Sequence, residues 1–466
     1  MKKTLLFLIT LLLLLPLPAS AASVSPARAA LHVSDKADYL DDWSMLALAR
    51  SGGEDGFSAL AAEYAVLQVF RLYRNGGALP IGSETEYARV ALTLTALGYR
   101  ADSFGGFDLL APLAETERLS ARSLNGLIFS LLALDAGAYA TADGTREAIV
   151  TELLCRRGEA GGWSVFGTDA SADPDMTAMA LTALSPYRAS AEVSSAIEDG
   201  LAVLRDLQTV SGGYVSLGVE NSESAAQVIL ALATLGEDPK TFTSEGNSVL
   251  DALLAYQTGG GFAHTVGGEV NRLATVQASF ALEAYRRASS GEPTVYQMTD
   301  VIAHPPVAFT DADAEAALAL PLTETVAVED RLSDLLGRLL LSPSRGEYRA
   351  AEAHLGAAVA ALESAYARLD RLAAACRALP IKIGVKDRET VRALRQEISS
   401  LPSEDRARLA EQVYLDEAES ALAVIDRTRI LTVAISALAA VSASVLMIRM
   451  LLRRRRAAAD ETEGEE

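Results

Sequence analysis

The sequence predicts an all-α protein: a large domain of repeated helical pairs, then a smaller helical region, then one helix that spans a membrane. Three observations carry the prediction. A glycine pair followed by an aromatic residue recurs about every 50 residues. After each recurrence comes an almost wholly apolar run of helix-forming residues. Near the C-terminus, 430–448 holds 19 residues with no charge. As a helix that run reaches about 28 Å, close to the hydrocarbon thickness of a bilayer.

Met1-Lys2-Lys3 is followed by an apolar run over 5–15 broken only by Thr10, and then by Ala19-Ser20-Ala21. A basic start, a short apolar core and a small-x-small site are the parts of a signal peptide, placed here at 1–21. The chain beyond it is expected to be exported.

The repeats occupy 35–290. Their clearest copies are Gly105-Gly106-Phe107, Gly161-Gly162-Trp163, Gly212-Gly213-Tyr214 and Gly260-Gly261-Phe262, whose aromatics lie 56, 51 and 48 residues apart. That period is too long for a 34-residue helix–turn–helix unit and fits two helices plus a structured loop. The runs at 86–98, 175–187, 222–235 and 271–285 are apolar on nearly all sides, which predicts inner helices. Between them, 192–208 places Val193, Ile197, Leu201, Leu204 and Leu207 on one stripe, the pattern of an outer helix. Asp173 before Pro174, and Ser222 with Glu223, read as helix starts, while Gly98 and Gly236 read as stops. Five or six such pairs build either an open solenoid or a closed ring, and periodicity does not choose between them.

The stretches GGWSVFGTDASADPDMTAMALTALSPY (161–187), NSESAAQVILALATLGEDP (221–239) and TFTSEGNSVLDALLAYQTGGGFAHTVGGEVNRLATVQASFALEAYRR (241–287) resemble the prenyltransferase/squalene-cyclase repeat superfamily. More narrowly, they are similar to bacterial surface proteins whose helical ring resembles the alpha domain of the cobalamin carriers intrinsic factor and transcobalamin. The resemblance covers roughly 35–290 and implies an (α/α)6 toroid with inner and outer helical rings. It implies no single activity, because that scaffold hosts cyclases, protein prenyltransferase subunits, thioester domains and vitamin carriers. The carriers pair it with a β-rich second domain, whereas the second region here reads as helical.

After 290 the composition changes. Pro293, Pro305, Pro306 and Pro321 mark 291–325 as a linker. Helices are expected at 327–342, 347–379 and 403–424, making 326–425 a helical stalk or hairpin. A transmembrane helix at 430–452 then leads to a tail at 453–466. Arg449 and the four arginines at 453–456 follow the apolar run, and such a basic flank stays cytoplasmic. The expected topology is single-pass in the plasma membrane, with the N-terminal region extracellular and the tail cytoplasmic.

The formal net charge of −20 disfavours nucleic acid as a partner. The only cysteines, Cys155 and Cys376, make no disulfide framework and fall in different regions, so both are expected to be free or buried. Cys155 is expected as a small core residue at the end of an outer helix.

The chemistry-bearing residues point to binding more than to catalysis. Asp173 and Asp175 form D-x-D without the last aspartate of the D-x-D-D acid motif of class II terpene cyclases. Asp173 also has ordinary work as a helix cap. Cys155 sits in LLCRRGEAGG, not in a G-C-G-E-Q thioester stretch. Cys155 and His264 lack metal-ligand spacing. No catalytic or metal-ligating set is assigned, and no motif names a cofactor. The ligand-binding candidates are Trp163, Asp173, Asp175, Gln227, Phe262, His264 and Gln277. The two aromatics read first as loop-to-helix packing, with stacking on a flat ligand or sugar at the ring mouth as the alternative, and the carboxylates and His264 are candidates for contacts at a cavity mouth. Gln227 and Gln277 fall at equivalent positions of two inner helices, where they either tie repeats together or orient a ligand. The expected partners are a small molecule, a glycan or an extracellular protein, plus membrane lipid around the C-terminal helix. A cyclase or transferase and a cobalamin-like carrier are the alternatives.

Overall fold

A computed structural model of the protein describes residues 41–52, 57–168 and 170–463. The signal-peptide segment 1–21 lies outside the described residues. The described chain is all-α apart from three hairpins of two-residue strands, and it divides into two compact units. The first runs to Thr310 and takes in Ser333–Tyr348; the second comprises Asp311–Leu332 and Arg349–Glu466.

The first unit alternates two kinds of helix. One kind comprises α1 (Asp42–Arg50), α3 (Glu84–Ala96), α5 (Leu124–Ala136), α7 (Pro174–Leu184), α9 (Ser222–Leu235) and α11 (Arg272–Ser290). Each of these packs on the next in that order, and α11 packs back on α1. They are buried on most sides, as apolarity all round a helix requires. Between them lie α2 (Phe57–Arg74), the short α4 (Ala111–Ala114), α6 (Thr145–Cys155), α8 (Ala191–Leu207) and α10 (Val249–Leu254). In α8 the buried stripe is Val193, Ala196, Ile197, Gly200 and Leu204. Leu207, expected on that stripe, is 37% exposed, because the helix ends there and Gln208 takes the buried position.

The glycine pairs are the joints of this alternation. Gly161, Gly212 and Gly260 have φ of +93°, +85° and +90°, which side-chain-bearing residues rarely adopt. The aromatic that follows each pair, Trp163, Tyr214 or Phe262, is fully buried. Its carbonyl then accepts from the backbone N–H of Asp173, Asn221 or Asn271, at 2.8, 3.2 and 2.8 Å. Those three residues are the N-caps of α7, α9 and α11. One turn thus fixes both the buried aromatic and the start of the next inner helix. The start expected at Ser222 lies one residue earlier, at Asn221, whose Oδ1 accepts from Ser224 N at 2.9 Å. Ser222 Oγ instead donates to Ala263 O.

The first and last inner helices are joined at both ends. At one end Arg272 of α11 pairs with Asp41, the cap of α1, at 3.1 Å. At the other, Asp300 accepts from Arg50 at 2.9 Å and from Arg287 at 2.7 Å, with the two arginines 2% and 8% exposed. Arg287 also pairs with Glu283 at 2.9 Å.

Residues 291–310, read from the sequence as the start of a linker, are packed. Met298 N donates to Ala136 O, His304 N donates to Gly98 O, and the His304 ring stacks on Tyr99 at 4.3 Å. The prolines stop helix formation there, but Val295 and Met298 still bury their side chains. Gly337 of α13 (Glu329–Leu341) comes so close to α2 that a Cβ would lie 2.7 Å from Val66 Cγ1.

In the second unit, α12 (Asp311–Leu318), α14 (Arg349–Arg377), α15 (Arg388–Ser399) and α17 (Gln412–Glu463) pack around Leu355, Leu362, Leu369, Leu394, Ile398 and Leu415. Asp405, on the short α16 (Ser403–Ala407), is fully buried. It accepts from Thr325 Oγ1 at 2.7 Å, Val326 N at 2.9 Å and Arg368 at 3.3 Å. α17 is unbroken, about 78 Å long at 1.5 Å per residue. It carries an apolar stretch long enough to cross a membrane, none of it buried in the protein. One C-terminal membrane-spanning helix is therefore part of the fold.

Candidate functional site

All six inner helices begin with a side-chain cap. Asp41, Ser83, Ser123, Asp173, Asn221 and Asn271 each accept from a backbone N–H of the first turn. The second residue of each helix, Trp43, Thr85, Asn125, Asp175, Glu223 or Leu273, is at least partly exposed although most of its helix is buried. One turn on, Arg89, Phe129, Met179, Gln227 and Gln277 of the last five are half-exposed too. The 3.6-residue period puts these two positions on one face. Such residues meet across the set. Trp43 touches Phe129 at 5.2 Å between ring centroids, although α3 separates their helices in the packing order.

This end gathers several of the residues singled out from the sequence. Asp173 Oδ1 caps Met176 N at 3.0 Å, and its Oδ2 accepts from Ser216 Oγ at 2.9 Å. Asp175 is largely desolvated, and its Oδ1 has no hydrogen-bond partner. Burial pushes its carboxyl up to about 6, with Asp173 and Glu223 adding to the rise and Ser224 and Ser216 opposing it. His264 Nδ1 lies 2.9 Å from Glu223 Oε2. Gln227 Nε2 donates to Gln277 Oε1 at 3.1 Å, tying α9 to α11. Asn125 Oδ1, at the position in α5 equivalent to Asp175, is a second buried acceptor without a partner. Two unmatched acceptors on neighbouring helices favour a hydrogen-bond donor from outside the chain.

Trp163 and Phe262 do not join them. Both are fully buried, Trp163 Nε1 donates to Leu153 O at 2.8 Å, and the backbone N–H of each donates to Thr177 or Thr275 Oγ1. Of their two readings packing holds and ligand stacking is corrected, because the turn that sets each helix start needs the ring inside. Cys155 is corrected in the opposite direction: it ends α6 but is exposed, while Cys376 is buried, and both are free. Among the described residues, no group of three or more His, Cys, Asp or Glu is arranged to hold a metal ion.

The sequence reading missed Glu223, Asn125, Arg89, Trp43 and Phe129 as residues of this face. The available signal was position: each is the second or sixth residue of a capped apolar helix.

No family model matches the chain, and neither the curated proteins nor the solved structures compared with it give a match.

Proposed function

We propose that this chain is a single-pass, membrane-anchored binding module, with the first unit displayed outside the cell as an (α/α)6 toroid of the prenyltransferase/squalene-cyclase type. The second unit is its helical stalk. One observation carries the binding reading: six capped helix starts leave their second residues, and the last five also their sixth, at least partly exposed on one face, and two of those residues hold buried acceptors without partners. A small molecule, a glycan or a surface protein offering hydrogen-bond donors fits that face. The signal peptide at 1–21 and the basic residues at 453–456 support the outward orientation.

Two experiments test this. On intact cells a membrane-impermeant maleimide labels exposed Cys155 if the first unit is outside, and labelling only after permeabilisation overturns the orientation. The detergent-solubilised full chain retains a co-purifying ligand that Glu223→Gln with Asp175→Asn releases; equal retention overturns the site.

A second reading has a specific observation behind it. A carboxyl held at about 6 in a largely desolvated position is closer to a cyclase acid than the missing final aspartate implies. Turnover of a polyprenyl substrate, lost in Asp175→Asn, would favour an enzyme. Recovery of corrinoid in stoichiometric amount would favour the carrier reading.

A further inference from the structure

The C-terminal ends of α5, α7 and α9, together with residues 294–297, line a half-open cavity of about 540 Å³. That volume lies within the range of small-molecule sites. None of the residues discussed above as site candidates lines it. Its lining includes one full charge pair, Asp135 and Arg146, and that pair is already satisfied. Arg146 donates to Asp135 Oδ1, Thr141 Oγ1, Leu134 O and Tyr139 O at 2.6–2.8 Å. Asp135 Oδ2 accepts from Tyr187 at 2.8 Å. Burial raises the Asp135 carboxyl, and the bonds from Arg146 and Tyr187 oppose that rise. A charged ligand would therefore enter without a free counter-charge and would lose its hydration.

What the cavity does offer is neutral and two-sided. The half-buried Tyr296 and the exposed Gln297 line it. A phenol and an amide can each both donate and accept. Thr234 and Tyr187 also line it, with hydroxyl hydrogens given to Leu230 O and Asp135, so their oxygens remain as acceptors. Tyr187 and Tyr296 add aromatic surface, and burial keeps both phenols neutral throughout the physiological range.

We propose that this cavity binds a neutral, hydroxyl-rich ligand of one or two rings, a mono- or disaccharide. Hydroxyls on a sugar match sites that need both donors and acceptors, its C–H faces suit tyrosine rings, and its neutrality suits a wall whose charges are closed. This inference goes beyond the binding reading above and uses a different set of residues.

The test uses detergent-solubilised full chain and saturation-transfer NMR with glucose, N-acetylglucosamine, maltose and glucuronate. The three neutral sugars are expected to include at least one that receives saturation and binds about tenfold more tightly than glucuronate. Gln297→Ala on the surface segment should weaken that sugar about tenfold, and Thr234→Phe, which fills the cavity, should abolish it. Unchanged melting temperatures show that both variants fold. Asp175→Asn with Glu223→Gln should leave sugar binding intact, which separates this site from the capped end. No saturation of any neutral sugar, equal or tighter binding of glucuronate, or undiminished binding in folded Gln297→Ala would overturn the proposal. Loss of sugar binding in the Asp175/Glu223 variant would overturn it too, by moving the site to the other end.

Discussion

At their N-terminal ends the six inner helices are fixed by cap residues two or three positions from the groups they bond. At their C-terminal ends, the first and last of them are fixed by Asp300, which lies 250 residues from Arg50. The first arrangement is local and repeated, so the loss of one cap is shared with five others. The second is non-local and gathers two buried arginines on one carboxylate, so its loss is not spread over repeats. The two ends also hold carboxylates in opposite states. Asp175 is desolvated with no cation bonded to it, and its carboxyl rises to about 6. Asp300 is partly desolvated as well, but the hydrogen bonds from Arg287 and Arg50 outweigh that and hold it below its ordinary value.

The sharpest way to break the comparison is Asp300→Ala. It leaves Arg50 without its carboxylate partner in a site where the side chain is 2% exposed. We expect a loss of about 3–5 kcal/mol in the denaturation free energy of the first unit. A loss below about 1 kcal/mol would mean that the seam does not depend on this junction.

Acidity separates the ends next. The folded-state value of Asp175, about 6, lies above its ordinary 3.8. Its contribution is therefore fully present below pH 3.8 and is lost as pH rises through 6. Wild-type protein should gain up to about 3 kcal/mol relative to Asp175→Asn between pH 7 and pH 4, read from denaturation midpoints. Asp300 has the opposite sign. Its depressed value makes its contribution present above its ordinary pH range and lost as pH falls through the folded value. Below pH 4, wild type should therefore lose stability relative to Asp300→Asn. Parallel pH curves for wild type and both variants would contradict the assignment of the two states.

A cap replacement should cost less. Asp173→Ala removes the bond to Met176 N and is expected to cost about 1 kcal/mol, with Asp173→Asn restoring most of it. The smallest effect is expected for Gln227→Ala, about 0.5 kcal/mol, because its partner Gln277 is half-exposed and water can replace the lost bond. A larger loss for Gln227→Ala than for Asp173→Ala would show that the helices depend more on each other than on their own starts.

The same contrast explains which parts of this molecule were legible in the chain. Helix type, the positions of most starts and stops, and the membrane span rest on period, composition and residues within a turn of one another. Asp173, Pro174 and Gly236 act within their own helix ends, and the uncharged run at 430–448 needs only its length. The buried state of Trp163 and Phe262 was legible only as one of two readings. An aromatic after a glycine pair can point in or out, and the Thr177 and Thr275 hydroxyls that hold these turns lie 14 and 13 residues further on. The exposure of Cys155 was hidden for the same reason, since it depends on which side of α6 the neighbouring helices cover.

By itself, then, the sequence determined the helical elements, their apolar faces, the repeated glycine joints and the length of the span, all of which are short-range properties of a chain in water or lipid. Tertiary structure alone decided that α11 returns to α1, that Asp300 joins Arg50 to Arg287, that Asp175 is largely desolvated while Asp300 gains two cations, and that the segment after α11 lines a cavity. Each of these joins groups far apart in the chain, and the energy of bringing them together depends on what surrounds them after packing, which no local pattern records.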